Sequence, residues 1–543
     1  MSSSIVRSRT AAIQLLVIIG AALASTCGGR PEIYEDPLRI SGPIVVGRHL
    51  VYLDQTRERA VVLRPYEREV RHVPLGRNPS FMLPTPDQSR LVVICKGHVA
   101  TTRDEQDEPP TMWIIDPETG ESVVHDLGSP FDEVAISDDN RYAVAFFSAD
   151  AEPGETEVFR NPNAVAILDL ETGDLAEKNV RSFGDVPRGV VFSPSIMAPL
   201  LPDGSLGAQR TLAVVFADGY LTLLDVTHPE RREVTVRLSL PGMDADVSPV
   251  EMVFAPFAGA AYLRASGTSD VYVLALTARE AASADENDFV VSINTLSAGS
   301  FPSDVALFSD GGQQKVLIAN QQSGDLTVID ALTARFVSIP VGDPVDRILV
   351  YPEQNPEVAV VFSQASPRRT IHFLDLANVE ASRGRNLTTL EGAEPVVGIE
   401  LIPGRAQALV VHDHDRSVIS VLDLYERTLS PFTGHQALSD YAVTPGGELL
   451  AGFSGLDTRL GVVDLTHLTS RAVVLEHVPS QVLTLARDDD DSGDAELGAV
   501  IVVHDEPYGL LTVVPDPLHD TADTTFALRG FLIQDLFDDR HED

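Results

Sequence analysis

The sequence predicts an all-β chain, a β-propeller of about ten four-stranded blades. Three observations lead there. A short apolar strand ending in Asp recurs roughly every fifty residues, which is blade length. Gly, Pro, Asn and Asp clusters separate the copies. Helical periodicity is almost missing beyond the amino-terminal stretch.

Residues 1–26 come first. They carry Arg7 and Arg9, no acidic residue, and an apolar run from Ala11 to Leu23. That run is about 13 residues long, short of the roughly 20 that a membrane-spanning helix needs. A basic start, a short apolar core and small residues after it describe a secretory signal peptide. Leu23-Ala24-Ser25-Thr26-Cys27-Gly28-Gly29 resembles a bacterial lipobox. The resemblance implies acylation of Cys27 and, with Gly28 following it, sorting to the outer membrane. Ala22-Leu23-Ala24 is also a small-x-small cleavage site, which would release a soluble periplasmic or extracellular protein. In the lipoprotein reading residues 27–43 are a tether, residues 44–538 the propeller and residues 539–543 an acidic tail. No second apolar run of spanning length occurs, so the expected membrane attachment is through the lipid alone.

The repeat is legible in its markers: Ile114-Ile115-Asp116, Ile167-Leu168-Asp169, Leu223-Leu224-Asp225, Val328-Ile329-Asp330, Phe373-Leu374-Asp375, Val421-Leu422-Asp423 and Val462-Val463-Asp464. Degenerate copies at Val62-Leu63-Arg64, Val273-Leu274-Ala275 and Val513-Val514-Pro515 fill the gaps. A terminal Asp has a local cause, because its carboxylate accepts the backbone N–H two residues on and starts a tight turn. Asp116-Pro117-Glu118-Thr119-Gly120 and Asp169-Leu170-Glu171-Thr172-Gly173 spell out the whole turn, with Gly where positive φ is needed. These aspartates are read as structural. In the unit around Asp330, strands are expected over residues 315–320, 325–330, 335–341 and 345–350. Ten units exceed the usual four to eight blades. One large ring, two smaller rings in tandem, or seven to eight blades with extra hairpins all fit the count. In one ring, closure would pair the strands of residues 44–54 with those of residues 525–537 and remove the open edges.

The unit from Ile318-Ala319-Asn320-Gln321-Gln322-Ser323-Gly324-Asp325-Leu326-Thr327-Val328-Ile329-Asp330 to Ile339-Pro340-Val341-Gly342-Asp343-Pro344 resembles a YVTN-type propeller repeat. That family belongs to the WD-repeat-like group, which includes lactonase-like propellers. The resemblance implies a fold. Its lactonase-like branch would add a metal-dependent hydrolase as the alternative function.

Charge narrows the partners. Asp and Glu number 80 against 40 Lys and Arg, a formal net charge of −40. Such a surface repels phosphate backbones and anionic lipid heads, so nucleic acid is excluded as a partner. No Gly-x-Ser-x-Gly elbow, phosphate-cradling glycine loop or His-Glu-x-x-His occurs. The expected function is therefore a non-enzymatic binding or scaffold surface for an envelope protein or glycan, with no cofactor except calcium in one loop. That loop is Asp488-Asp489-Asp490-Asp491-Ser492-Gly493-Asp494-Ala495-Glu496. In it Asp488, Asp490, Ser492 and Glu496 are candidate oxygen ligands, although the twelfth position of a calcium loop holds Ala499 rather than Glu.

Residues at one repeat position form a ring on one face of a propeller. The position ending the strand before each marker reads Asp54, Lys96, Ser148, Ala217, Ser266, Asn320, Ser363, Asp413, Ser454 and Asp505. Asp54, Lys96, Asn320, Asp413 and Asp505 are thus candidates for a polar collar at a channel mouth. Val411-His412-Asp413-His414-Asp415 and Val503-His504-Asp505-Glu506 are alike, which makes His412, His414 and His504 candidate ligands for a divalent metal. Cys95 and Trp113 sit in strand patterns and are read as core.

Overall fold

The computed structural model describes residues 38–533, apart from 101, 104–105, 151–160, 239–246, 281–282, 284, 378, 380–384, 414–417, 434–437, 456, 486–498 and 519–523. The expected signal peptide, Cys27, the 539–543 tail, the 488–496 loop and His414 lie outside the described residues.

Among the described residues, thirty-nine antiparallel strands form eight sheets of four and one of seven. The seven-stranded sheet is two blades that share one strand, Leu387–Leu401. Its first half pairs with Arg368–Asp375 of blade 7, and its second half pairs with Gln407–His412 of blade 8. The chain therefore folds into ten blades.

Within a blade the strands run in sequence order from the axis outwards, and burial follows that position. The first strands are half-buried, as in Pro79–Pro84 and Asp440–Val443, because one side borders the central channel. Second strands such as His49–Asp54 and Leu212–Ala217 are buried at every position. Outer strands such as Val234–Arg237 and Phe526–Arg529 alternate half-buried with exposed, the period-two pattern of a sheet edge facing water.

Because successive side chains on the buried strands point to opposite sides, each blade offers an apolar face to both neighbours. Val92 and Ile94 pack towards blade 3, whereas Leu91, Val93 and Cys95 pack towards blade 1. Nine such clusters join blade 1 to 2, 2 to 3 and so on round to 9 and 10. The tenth joins blade 10 back to blade 1: Leu485, Ile501, Val503, Leu511 and Val513 meet Leu50, Tyr52, Val61 and Leu63. Each buried Val, Leu or Ile contributes about 1.5–3 kcal/mol, so the interfaces are a main source of stability. The cycle of clusters makes one ring and excludes two tandem rings.

Three expectations need correction. The first strand begins at Ile40, so part of the expected tether is already blade. Closure is by packing, not by strand pairing. Ile40–Val46 pairs only with its own hairpin partner, and Phe526–Arg529 only with Leu510–Val514. The seam is instead held by Phe531, whose ring centroid lies 5.4 Å from that of Tyr52. Arg57 and Arg59 both donate to the Leu532 carbonyl at 2.9 Å.

The third correction concerns the unit boundary, which is displaced by one strand. Arg347–Tyr351, expected as the fourth strand of the Asp330 unit, is the first strand of the next blade. The physical cause is proline. In seven units the register of the first strand shifts beside a proline: Pro43, Pro79, Pro187, Pro249, Pro302, Pro395 and Pro479. A residue without an N–H cannot continue a ladder, and it stands where a sheet begins.

The marker aspartates behave as expected. Asp116 accepts the N–H of Glu118 at 2.8 Å, Asp169 that of Glu171 at 2.9 Å and Asp464 that of Thr466 at 2.8 Å. Four residues after five of the seven Asp markers the backbone turns left-handed. Gly120 and Gly173 do so freely at φ +75° and +78°, while Ala334, Arg427 and Leu468 are held at +53° to +56°.

Candidate functional site

The upper face of the ring, where first strands begin and second strands end, gathers the polar residues singled out above. Strand register sorts them into two sets. Asp54, Asn320, His412 and His504 each pair with the start of a first strand, opposite Ile40, Pro302, Val396 and Pro479. Lys96, Asp413 and Asp505 stand one residue later. A one-residue step reverses the side-chain direction, so these residues are not a single collar.

The first set is internal. Asp54 is fully buried, accepts the N–H of Arg57 at 3.1 Å and pairs with the buried Arg59 at 3.1 Å. Asn320 is fully buried and donates to Thr327 Oγ1 at 3.0 Å. His412 bonds the Glu394 carbonyl through Nδ1 at 3.2 Å and Ser420 Oγ through Nε2 at 2.9 Å. His504 repeats the arrangement, with Nδ1 to the Val478 carbonyl at 3.0 Å and Nε2 to Thr512 Oγ1 at 2.9 Å. A carbonyl only accepts, so Nδ1 carries the proton and the Nε2 lone pair accepts the hydroxyl hydrogen. Burial lowers the pKa of both histidines below the ordinary value, in keeping with the neutral form. Neither ring keeps a lone pair for a metal. The two histidines stand at equivalent positions in blades 8 and 10 rather than facing each other. Among the described residues no group of three or more His, Cys, Asp or Glu is arranged to hold a metal ion.

The second set lies nearer the surface. Lys96 reaches the buried Asp132 of blade 3 at 2.7 Å, and Asp132 also accepts the N–H of Ser148 at 3.2 Å. Asp413 and Asp505 are exposed.

At the starts of first strands, carboxylates two residues past a proline stitch blade to blade. Asp304 accepts the N–H of Ile348 in the next blade at 2.7 Å, and Asp346 accepts the side-chain amide of Gln321 from the preceding blade at 3.3 Å while closing its own hairpin through the N–H groups of Gln364 and Ala365. In blade 9, which has no such proline, Asp440 plays the same part, accepting the N–H of Val482 at 2.7 Å. Burial, with Glu251 of the neighbouring blade adding repulsion, pushes Asp304 up to about 6. The sequence reading missed these carboxylates. Their signal is the spacing Pro130-Phe131-Asp132, Pro302-Ser303-Asp304 and Pro344-Val345-Asp346.

One hollow on this face lies at the seam. It measures about 600 Å³ and is bounded by blades 9, 10 and 1, within the range of small-molecule sites. Ile40, Pro43, Val503, Leu510 and Leu532 form an apolar wall, Tyr52 the floor, and Asp440, Asp505 and Glu506 the acidic rim. Among the described residues no Lys or Arg belongs to its lining. Glu506 has His477 at 3.8 Å, and the His477 ring stands edge-on to His504 at 5.9 Å. The turn that carries the rim is fixed by backbone bonds from Glu506 N to the His504 carbonyl at 2.9 Å and from Gly509 N to the Glu506 carbonyl at 3.0 Å.

Cys95 is a fully buried free thiol, pushed up to about 12 by burial, and is inert as a nucleophile. Trp113 packs in the same cluster and donates to Thr111 Oγ1 at 2.9 Å.

No family model matches the chain, and no curated protein sequence matches it. Solved structures do. A dihydro-heme d1 dehydrogenase, NirN, in complex with DHE aligns over 73% of this chain and 76% of its own, at 12% identity and a TM-score of 0.38. A structure described as the eukaryotic initiation factor aligns over 74% of this chain and 89% of its own, at 14% identity and a TM-score of 0.42.

Proposed function

We propose that the chain is an exported cell-envelope lipoprotein whose ten-bladed ring serves as a binding or scaffold surface for an envelope protein or glycan. The observation that carries this reading is the seam hollow: a concave, acid-rimmed site held on a frame whose joints are packed and hydrogen-bonded. Buried polar residues such as Asp54, Asn320, His412 and His504 fasten the blades, so the frame is preorganised and the connecting loops are free to differ. The net charge of −40 favours basic partner surfaces and opposes nucleic acid.

Export and anchoring rest on the residues before the ring: Arg7, Arg9, the 11–23 apolar run and Cys27. No helix among the described residues is long and apolar enough to cross a membrane. Two experiments test the proposal. Labelled palmitate should be incorporated by the full chain and not by Cys27→Ala; equal labelling removes the lipoprotein reading. The purified ring should capture a component from an envelope extract that Asp505→Lys/Glu506→Lys fails to hold. Recovery of nothing above that control removes the binding reading.

A further inference from the structure

The floor of the seam hollow carries an unused polar group. Tyr52 is 5% exposed and sits on the second strand of blade 1, against Phe531. It lines the hollow, and among the described residues burial is the one influence on its hydroxyl, with no hydrogen-bond partner beside it. Burial alone raises its pKa above the ordinary phenol value. The oxygen opens onto the hollow rather than being sealed in the core, so a ligand there can take the bond that water otherwise makes.

The surroundings say what that ligand is. Among the described residues, three carboxylates and no Lys or Arg lie in the lining. A carboxylate or phosphate ligand would enter against this charge with no cation to receive it. The other side of the hollow is hydrocarbon, from Ile40, Pro43, Val503, Leu510 and Leu532. His504 contributes no free donor or acceptor, since both nitrogens are bonded. A ligand that fits all of this is cationic at one end and apolar along its body. Its ammonium donates to the Tyr52 oxygen on the floor and to Asp505 or Glu506 at the rim.

We infer that the hollow between blades 10 and 1 is a binding site for a protonated primary amine on a compact apolar body. The chemistry is shared by a free organic amine and by a lysine side chain presented by a partner protein. The assignment rests on the binding reading above and names the ligand class for that site.

The test uses the ring with benzylamine, its neutral isostere benzyl alcohol, and N-acetyl-lysine-N-methylamide, titrated by calorimetry at pH 7. Benzylamine or the lysine derivative should bind saturably, and benzyl alcohol at least tenfold more weakly. Tyr52→Phe leaves the net charge unaltered and should weaken amine binding about five- to tenfold. Asp505→Asn, at an exposed position, should weaken it by a similar factor. Binding of the lysine derivative as tight as that of benzylamine assigns the site to a partner's side chain; preference for benzylamine assigns it to a free amine. Equal affinity for benzylamine and benzyl alcohol overturns the assignment. So does Tyr52→Phe binding as tightly as the parent chain, since attraction to the acidic surface at large would survive that change. If Tyr52→Phe melts well below the parent, Asp505→Asn alone decides, and unchanged binding by it overturns the site. Envelope capture that persists without any amine binding overturns this assignment and leaves the broader binding reading standing.

Discussion

At the scale of single residues, the upper face shows how one polar side chain can be a fastener in one register and a surface group in the next. Asp54 is buried between the Arg57 amide and the Arg59 guanidinium. Removing one member of a buried pair strands the other and costs about 3–5 kcal/mol. Asp54→Ala should therefore lower stability by that amount in urea, while Asp413→Ala, at an exposed position, should change it by less than about 0.5 kcal/mol.

The histidines predict a pH dependence. His412 and His504, and with them His49 and His372, have pKa values lowered by burial. Their contribution is complete above the unfolded value near 6.5 and is lost as pH falls through the folded values. Each contributes at most about 1.4 kcal/mol per pH unit. Asp304 acts oppositely. Raised to about 6, it favours the fold as pH falls below that value. Glu394 beside His412, and His477, Glu506 and Arg529 around His504, modulate the outcome. The melting temperature should fall between pH 6.5 and 5, and less steeply in His412→Gln/His504→Gln. An unchanged slope would show that other groups carry the acid response.

The marker aspartates were readable in the sequence because an Asp turn is a local device, complete within four residues. The fasteners were not. Whether His504 points into the blade or into the mouth depends on its pairing with Pro479, 25 residues away.

At the scale of elements, the proline shift at the head of the first strand sets where one blade ends and the next begins. The fifty-residue period was plain, yet a period has no origin. The phase lay in prolines whose part is visible only once the ladders are drawn.

The seam depends on a short terminal segment. Phe531 packs on Tyr52, and a side chain at Gly509 would meet the Phe531 ring at 2.6 Å in a backbone already at φ +86°. Phe531→Ala should cost about 3–5 kcal/mol. Gly509→Ala should destabilise the same joint, and the two losses should be less than additive in a denaturation cycle. Full additivity would mean that the two residues are not parts of one contact.

At the scale of the whole molecule, closure without a shared sheet separates this ring from one sealed by an exchanged strand. Blades 1 and 10 are each built from continuous chain. The break in the backbone is then free to move. A circular permutant that joins residue 533 to residue 38 through a flexible linker and opens within residues 239–246 should fold, with far-ultraviolet circular dichroism like that of the parent. Failure to fold would show that the seam needs free ends. The number of blades was legible from the count of markers. The single ring was not, because only the cycle of apolar clusters distinguishes it from two.

The strand Leu387–Leu401 has a consequence for deletions. A toroid assembled by tandem duplication can gain or shed a module wherever a cut leaves whole sheets on either side. Most joints of this one allow that. Between the seventh and eighth modules the cut would fall inside a single strand that belongs to both. Deleting either module alone would cut that strand, so such a deletion should cost the ring more stability than removal of a module bounded by whole sheets.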